Sequence, residues 1–353
     1  MMAARRGTEP GDGDVLDVGE QAARRQEKRN GRRALRVLGI LLLVVLLIVG
    51  GVVGYYWTRV NTALNGLTRN ESMLPAPTAS SVPHASPAPN ATASPVTFVI
   101  MGSDSRDTSN AGDGRSDVLM VAYLSGDRQH AYLVSFPRDM WVDIPGHGQA
   151  KINAAYAWGG PALTVQTLEG LTGTKMDHAV LMDFQGFIEL TNVLGGVTVY
   201  NHYDSSSSGY HFPQGEVTLQ GEKALAYVRE RYDLPHGDFD RAQRQRDVVQ
   251  AIIDKILSAG VVGNPATFGQ MLDQLSGTMT VDSGLTNAQI TSLATSIRFT
   301  SGAAVRTLQA PVSGTGTSAD GQSIDIVNYD KLKLLAQAMQ TDQMEQYYQT
   351  GQR

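Results

Sequence analysis

Arginines and acidic residues lie close together in five short motifs, of which three stand where a predicted strand begins or ends, one has the spacing of a strand and one leads into a predicted helix. The motifs are residues 102–106, 114–117, 136–139, 229–231 and 237–241. The planar guanidinium of arginine binds phosphate through two parallel hydrogen bonds, and Mg²⁺ takes one or two carboxylates together with water and phosphate oxygens. Because open α/β sheets bind ligands at strand ends, the motifs predict a site for a polyanion with a metal ion. Pyrophosphate fits this chemistry.

Residue spacing groups several of these side chains. Asp104 and Arg106 point to one side if the chain after the first strand stays extended, and Arg229 and Arg231 do so on a predicted strand. For any single arginine, a structural ion pair is an equally good interpretation, and five motifs together favour a ligand. The nearby carboxylates for such pairs are Asp139, Glu230 and Asp233.

The rest of the composition excludes several kinds of chemistry. The chain has no cysteine, which rules out disulfides, cysteine-ligated metals and a thiol nucleophile. No nucleophile elbow, phosphate loop, zinc-protease helix or dinucleotide fingerprint is present. The seven histidines are scattered without the spacing of metal ligands, so each is interpreted as structural or solvated.

The elements that must position the charged motifs alternate between short apolar runs and amphipathic helices. Strands are predicted at residues 96–101, 117–124, 131–136, 140–144 and 304–310, and helices at residues 161–171, 184–194, 242–257, 287–297 and 329–340. On the third helix and the turn before it, Arg241 and Gln245 are four residues apart and share a face. This alternation predicts one layered α/β domain over residues 96–341, with a central mixed β-sheet flanked by helices.

The N-terminal part predicts a single transmembrane helix. Residues 37–58 contain no charge, and 22 residues at 1.5 Å each span about 33 Å, enough to cross a bilayer. Seven arginines and lysines lie between Arg24 and Arg36, against Arg59 directly after the span, so the positive-inside rule leaves residues 1–36 as a cytoplasmic basic head. A cleaved signal peptide is the less favoured alternative, because the apolar run is long and ends in an aromatic belt.

The segments on either side of the predicted domain carry no chemistry of their own. Residues 59–95 are rich in Pro, Ala and Ser, and this composition predicts an extended extracytoplasmic spacer. Residues 342–353 are predicted to be a tail. The cytoplasmic head is too short for an unaided fold, which disfavours direct DNA binding and indicates contact with anionic lipid.

In order and spelling, seven segments of the chain resemble the LytR-CpsA-Psr family of envelope proteins. Six are GSDSR, GRSDVLMV, SFPRDMWVDIPG, KINAAYAWGG, DFQGFIELTNVLGGVTV and LQGEKALAYVRERYDLPHGDFDRAQRQ, and the seventh is the helix that follows. The resemblance covers residues 96–341, and the anchor with a short cytoplasmic head is similar to the family's layout. Residues 203–211 match no family motif, and the last dozen residues are not expected to form the additional C-terminal domain of some members, so the resemblance does not identify the glycopolymer.

The resemblance implies roles for individual residues. Asp104 and Asp117 look like Mg²⁺ ligands, although another divalent cation would also suit them. Five residues are similar to the family's pyrophosphate-binding residues, namely Arg115, Arg138, Arg229, Arg231 and Gln245. Further residues implied to bind the substrate or to order this group are Arg106, Lys151, Asp238 and Arg241. Apolar stretches at residues 184–194 and 248–257 are expected to be core or to line a tunnel for an isoprenoid chain.

The resemblance implies a membrane-anchored enzyme that transfers a glycopolymer from a polyprenyl-pyrophosphate carrier to peptidoglycan and forms a phosphodiester. Such a reaction needs no nucleoside triphosphate, because the pyrophosphate bond supplies the driving force. Two alternatives use the same residues: a polyprenyl-pyrophosphate phosphatase, in which water is the nucleophile, and a lipid-binding envelope regulator without turnover. The expected partners are the lipid-linked glycopolymer, peptidoglycan and the membrane, with no nucleic acid.

Overall fold

The computed structural model describes Leu47, Gly51 and residues 53–76, 82–103, 116–258, 264–299 and 301–351. Its strands are β1 (Thr68–Asn70), β2 (Val96–Ser103), β3 (Ser116–Leu124), β4 (Ala131–Ser135), β5 (Trp141–Ile144), β6 (Gly148–Lys151), β7 (His178–Asp183), β8 (Val197–Asn201), β9 (Ser205–Ser207), β10 (Tyr210–Phe212), β11 (Gly215–Leu219), β12 (Met279–Asp282), β13 (Val305–Gln309), β14 (Val312–Thr317) and β15 (Ser323–Val327).

Seven of these strands form the central sheet, in the order β1-β12-β7-β2-β3-β4-β13. Strand β2 pairs antiparallel with β3 and parallel with β7, so the sheet is mixed, as predicted. The other strands pair as β5–β6, β8–β11, β9–β10 and β14–β15. Because successive side chains of a strand point to opposite faces of the sheet, the positions of β2 are half-buried and buried in turn. The predicted strands at residues 96–101, 117–124, 131–136, 140–144 and 304–310 are confirmed within one or two residues.

Helices cover the sheet on both faces. They are α1 (residues 59–66), α2 (Asn153–Thr172), α3 (Phe184–Val193), α4 (Gly221–Arg229), α5 (Asp238–Leu257), α6 (Pro265–Thr278), α7 (Asn287–Ser296), α8 (Tyr329–Gln340) and α9 (Met344–Gln349). Helix α2 is kinked where Gly159 and Gly160 leave helical geometry, with a φ of 62° at Gly160. Pro161 therefore opens the second part of α2, as the sequence predicts, because proline is suited to a first helical position.

The faces of the sheet bury two separate apolar cores. Val99, Met101 and Tyr123 on one face pack in a cluster with residues of α2, α8 and α9. A second cluster joins α3, α4 and α5 to the small β8–β11 sheet, with Tyr227 and Val248 fully buried in it. The candidate site lies where this second layer meets the end of β2.

The segments flanking the predicted domain differ from the sequence interpretation. Residues 59–66 are helical, β1 pairs with β12, and the Ser86 amide donates to the Gln340 carbonyl at 2.8 Å. The predicted spacer 59–95 is therefore wrong for its described residues, because hydrogen bonds to the domain hold a Pro-rich chain that cannot form its own core. The predicted tail is also part of the fold, since α9 buries Met344 and Tyr347.

Contacts divide the chain into two units, Met1–Thr58 and Arg59–Arg353. The predicted basic head 1–36 lies outside the described residues, as does most of the predicted span 37–58, of which Leu47, Gly51 and residues 53–58 are described as helical. Within the part of the chain that the structure describes, no helix is both long enough and apolar enough to cross a membrane.

Candidate functional site

A small pocket of about 190 Å³ brings four of the sequence-predicted arginines together. Its charged and polar lining comes from Arg138 after β4, Arg229 at the end of α4, Arg231 after α4, and Arg241 and Gln245 on α5. Val118, Phe184, Val228 and Tyr232 complete the wall. We call this site the arginine pocket. Residues from several parts of the chain, from Val118 to Gln245, thus converge on one cavity.

Arg229 and Arg231 reach the arginine pocket from a helix end and a turn, and the strand predicted for them is wrong. Arg229 is the last residue of α4, and its guanidinium lies over the Phe184 ring, 5.0 Å from the centroid. Arg231 follows the C-cap and donates a 2.6 Å hydrogen bond to the Tyr232 hydroxyl, which raises the pKa of Arg231. A helix forms here because Ala224, Leu225 and Val228 bury one face of it in the second core.

Glu230 orders the turn that carries Arg231. Its buried carboxylate accepts hydrogen bonds from the backbone N–H groups of Tyr232 at 2.6 Å and Asp233 at 2.8 Å. Burial acts to raise the pKa of Glu230, but the N–H donors of the turn outweigh it and lower that pKa. Glu230 is therefore a support for the turn, and among the described residues it forms no ion pair with the pocket arginines.

Carboxylates hold the arginines on the α5 side of the pocket. Asp238, the first residue of α5, contacts the guanidinium of Arg241 and lies 3.4 Å from Nε of Arg138. The Asp139 carboxylate forms an ion pair with the Lys151 ammonium, with Oδ1 and Nζ 2.9 Å apart, and its Oδ2 lies 3.7 Å from Nε of Arg138. Asp238 and Lys151 thus act on the pocket through Arg138 and Asp139, and the ion-pair interpretation of these motifs holds for part of the set.

A carboxylate that the sequence interpretation missed lies behind this network. Asp325 on β15 is 4% exposed, and its amide donates to the Asp139 carbonyl at 2.9 Å. Burial raises the pKa of Asp325 to about 6, and the charges of Asp238 and Asp139 add to the shift. Nothing in the local sequence SIDIV distinguishes this aspartate from one at the surface.

An apolar cavity of about 100 Å³ adjoins the arginine pocket. The two share four residues: Val118, Phe184, Val228 and Gln245. Its other walls are the end of β2 and the facing sides of α3 and α5, including Phe187, Val248 and Val249. Both stretches predicted as core or tunnel lining contribute to this cavity.

A larger apolar cavity of about 300 Å³ continues along the same face of the sheet. It is lined by Phe98 and Val180, which lie two residues before Ile100 and Met182 of the smaller cavity on β2 and β7. Its far wall comes from α1, α6 and α7. Two apolar cavities therefore lie on this face of the sheet, and the smaller one adjoins the arginine pocket.

The predicted metal ligands stand at the edge of what the structure describes. Asp104, Arg106 and Arg115 lie outside the described residues, and Asp117 lies on β3 without a described side chain. The register pairs Ser103 with Ser116, which are the residues directly before Asp104 and Asp117. Elsewhere among the described residues, no cluster of three or more acidic or histidine side chains has the arrangement of a metal site.

An arginine-lined pocket that shares residues with an apolar cavity thus lies beside the mixed sheet of an α/β domain. The model of the LytR_cpsA_psr family matches residues 62–343 of the chain. The chain therefore belongs to the LytR-CpsA-Psr family.

Relatives and solved structures agree with this membership. The chain is 36% identical, over 69% of its length and 78% of the relative's, to the polyisoprenyl-teichoic acid–peptidoglycan teichoic acid transferase TagU of Enterococcus faecalis. It is similar to the crystal structure of Bacillus subtilis TagV, with 28% identity, a TM-score of 0.59 and coverage of 70% and 97% of the two chains. A solved structure of TagT bound to LI-WTA has 28% identity and a TM-score of 0.56, with coverage of 71% and 91%.

Proposed function

We propose that this protein transfers a glycopolymer from a polyprenyl-pyrophosphate carrier to peptidoglycan. The observation that carries the proposal is the adjacency of the arginine pocket and the apolar cavity, which share Phe184, Val228 and Gln245. A polyprenyl pyrophosphate has the matching division between an anionic head and an apolar chain. The names of the relatives and their ligand support the same class of substrate.

The proposed step is a displacement at phosphorus. A hydroxyl oxygen of the acceptor forms a bond to the phosphorus that carries the glycopolymer, the bond to the bridging oxygen breaks, and polyprenyl phosphate leaves as the hydroxyl proton is released. Such a transition state places negative charge on the phosphate oxygens and the leaving group. Arg138, Arg229 and Arg231 line the pocket where this charge would develop, and they would stabilise it by preorganised electrostatics.

Mg²⁺, or another divalent cation, is the proposed cofactor, with Asp104 and Asp117 as its proposed ligands. When bound it would neutralise phosphate charge. Replacing Asp117 with Ala should abolish most transfer while the domain still folds, and the metal affinity measured by calorimetry should fall with it. Near wild-type activity with unchanged Mg²⁺ dependence would show that Asp117 is not a ligand.

The anchor is proposed from the sequence of residues 37–58, with the N-terminus cytoplasmic and the domain outside. In intact protoplasts, added protease should digest the domain and leave an N-terminal epitope protected. Protection of the domain instead would contradict the topology.

One assay separates transfer from its two alternatives. The full-length protein is incubated with labelled polyprenyl-pyrophosphate glycopolymer, with and without peptidoglycan. Transfer predicts a labelled product attached to peptidoglycan and little release of label without acceptor. Release of free phosphorylated polymer at the same rate in both conditions would indicate a phosphatase, and lipid binding without either product would indicate a regulator.

A further inference from the structure

Two open pockets extend the arginine pocket along the protein surface. One of about 460 Å³ shares Tyr232 with the arginine pocket, and one of about 480 Å³, between β8 and α5, shares His202 with the first. We call these two connected pockets the tyrosine groove. The shared residues make the three pockets neighbours, from the arginine pocket to the C-terminal half of α5.

Three aromatic rings contact one another in sequence along this groove, and Tyr232 lies at its junction with the arginine pocket. The ring centroids of Tyr200 and His202 are 5.3 Å apart, and those of His202 and Tyr203 are 6.4 Å apart. Tyr200 is 55% exposed and Tyr232 is 85% exposed, although their rings are large apolar surfaces. A run of exposed amphipathic rings offers flat faces for the C–H surface of a sugar and hydroxyls for its polar edge.

The charge of the groove is opposite to that of the arginine pocket. Its lining holds four carboxylates and one lysine. Asp204 faces His211 at 3.1 Å and Asp233 accepts the Ser206 amide, whereas Asp254 accepts the Gly302 amide. Asp247 lies 4.0 Å from His202, and its buried Oδ2 accepts no hydrogen bond among the described residues.

The residues of the groove point to a ligand without negative charge. Carboxylates accept hydrogen bonds from sugar hydroxyls, while at this density they repel a polymer that carries phosphates. Nucleic acid is excluded for the same reason, since its binding requires neutralisation of phosphates by Lys and Arg.

We propose that the tyrosine groove binds a neutral saccharide chain, namely the glycan strand of the peptidoglycan acceptor. The proposal rests on the proposed function for the identity of the strand, and it assigns the anionic donor and the neutral acceptor to two surfaces of opposite charge. A strand lying along the rings from Tyr200 to Tyr232 would bring one of its hydroxyls to the mouth of the arginine pocket.

The test uses the full-length protein in detergent micelles with chitopentaose, a neutral oligomer of N-acetylglucosamine, as the probe. Its affinity is measured by titration for the wild type, for Tyr200→Ala/His202→Ala and for Asp247→Asn. Tyr329→Ala is the matched control, because Tyr329 is 56% exposed on α8 and lies outside the groove. Loss of two ring contacts should weaken binding about tenfold, and Tyr329→Ala should bind as the wild type does.

Transfer kinetics with isolated glycan strands give the second measurement. The double variant should raise KM for the strands about tenfold and leave KM for the lipid donor unchanged. Tighter binding of poly(glycerol phosphate) than of chitopentaose, or unchanged affinity and KM in the double variant, would overturn the groove assignment. If chitopentaose binds and the double variant weakens it, but the wild type transfers nothing, the proposed function fails while the saccharide site stands.

Discussion

Arginines occupy two contrasting environments on and around helix α5. Arg244 is 4% exposed, donates to Asn201 Oδ1 and Ser205 Oγ at 2.7 Å each, and lies 4.2 Å over the Tyr227 ring. Arg231, in contrast, lies at the open arginine pocket, and the one side-chain hydrogen bond described for it goes to the neighbouring Tyr232. The first arginine is enclosed by neutral acceptors of the fold, and the second faces a cavity.

This difference separates a structural arginine from one available to a ligand. Burial lowers the pKa of Arg244, because the charged guanidinium has lost contact with water. Hydrogen bonds and aromatic rings around the guanidinium offset part of this cost. The pKa of Arg231 is raised instead. The guanidinium of Arg244 is thus part of the packed interior, whereas the guanidinium of Arg231 faces a pocket.

The largest effect should come from the enclosed arginine. Arg244→Ala removes the hydrogen bonds to Asn201 and Ser205 and leaves a cavity beside Tyr227, so the free energy of unfolding should fall by about 3–4 kcal/mol. Thermal unfolding of the full-length protein measures this loss. The molecules that remain folded should turn over at the wild-type rate, and normal stability with lost turnover would break the comparison.

Arg231→Lys tests the open side of the comparison. Lysine keeps the charge but loses the planar fork, and loss of a charge-assisted contact costs about 1.5–3 kcal/mol, or roughly one to two orders of magnitude in transfer rate. The melting temperature without lipid should change little. Arg229→Lys is measured beside it. A lowered melting temperature with intact turnover in both variants would show that the two arginines stabilise the fold and do not bind the substrate.

Asp325→Asn tests an enclosed charge next to the open pocket. Because the folded-state pKa of about 6 is above the usual aspartate value, the folded state binds more protons in this range. Stability therefore falls as pH rises from about 4 to 6 and stays lower above it. The wild type should lose about 2 kcal/mol relative to Asp325→Asn across this window, as measured by denaturant unfolding at several pH values. If stability changed with pH in the same way in the two proteins, the pKa of Asp325 would not be raised in the folded state.

The smallest effect is expected at Glu230. Glu230→Gln keeps an acceptor oxygen but loses its charge, so the turn holding Arg231 should be weakened by about 1 kcal/mol. The transfer rate of Glu230→Gln should fall about fivefold with little change in melting temperature. In Glu230→Ala, both the transfer rate and the melting temperature should be lower than in Glu230→Gln. Identical kinetics for Glu230→Gln and Glu230→Ala would show that the carboxylate does not position Arg231.

Several parts of the architecture could be predicted because their signals are local. The alternation along β2 and the apolar stripe of α5 depend on residues a few positions apart, and both elements occur where the sequence places them, with α5 beginning four residues earlier. The convergence of Arg138, Arg241 and Gln245 was also predictable, since each motif stands at the end of an element. For residues 229–231 the same reasoning failed, because a spacing of two fits a strand and equally a helix end followed by a turn.

Other features depend on contacts between distant segments. Asp325 is buried where its backbone amide donates to the Asp139 carbonyl, and the Pro-rich chain near Ser86 is held by hydrogen bonds to Gln340, Lys175 and Asp342. The tyrosine groove joins β8, the turn after α4 and the outer side of α5, and no motif marks it.

The sequence by itself determined the types of many elements, the charged motifs and the resemblance to the family, because periodicity and short-range chemistry depend on neighbouring residues. Only the tertiary structure decided which arginines are enclosed and which face a cavity, and that an acidic, ring-lined groove meets the basic pocket. Exposure and electrostatic environment are set by what packs against a side chain, and those partners lie tens to hundreds of residues away along the chain.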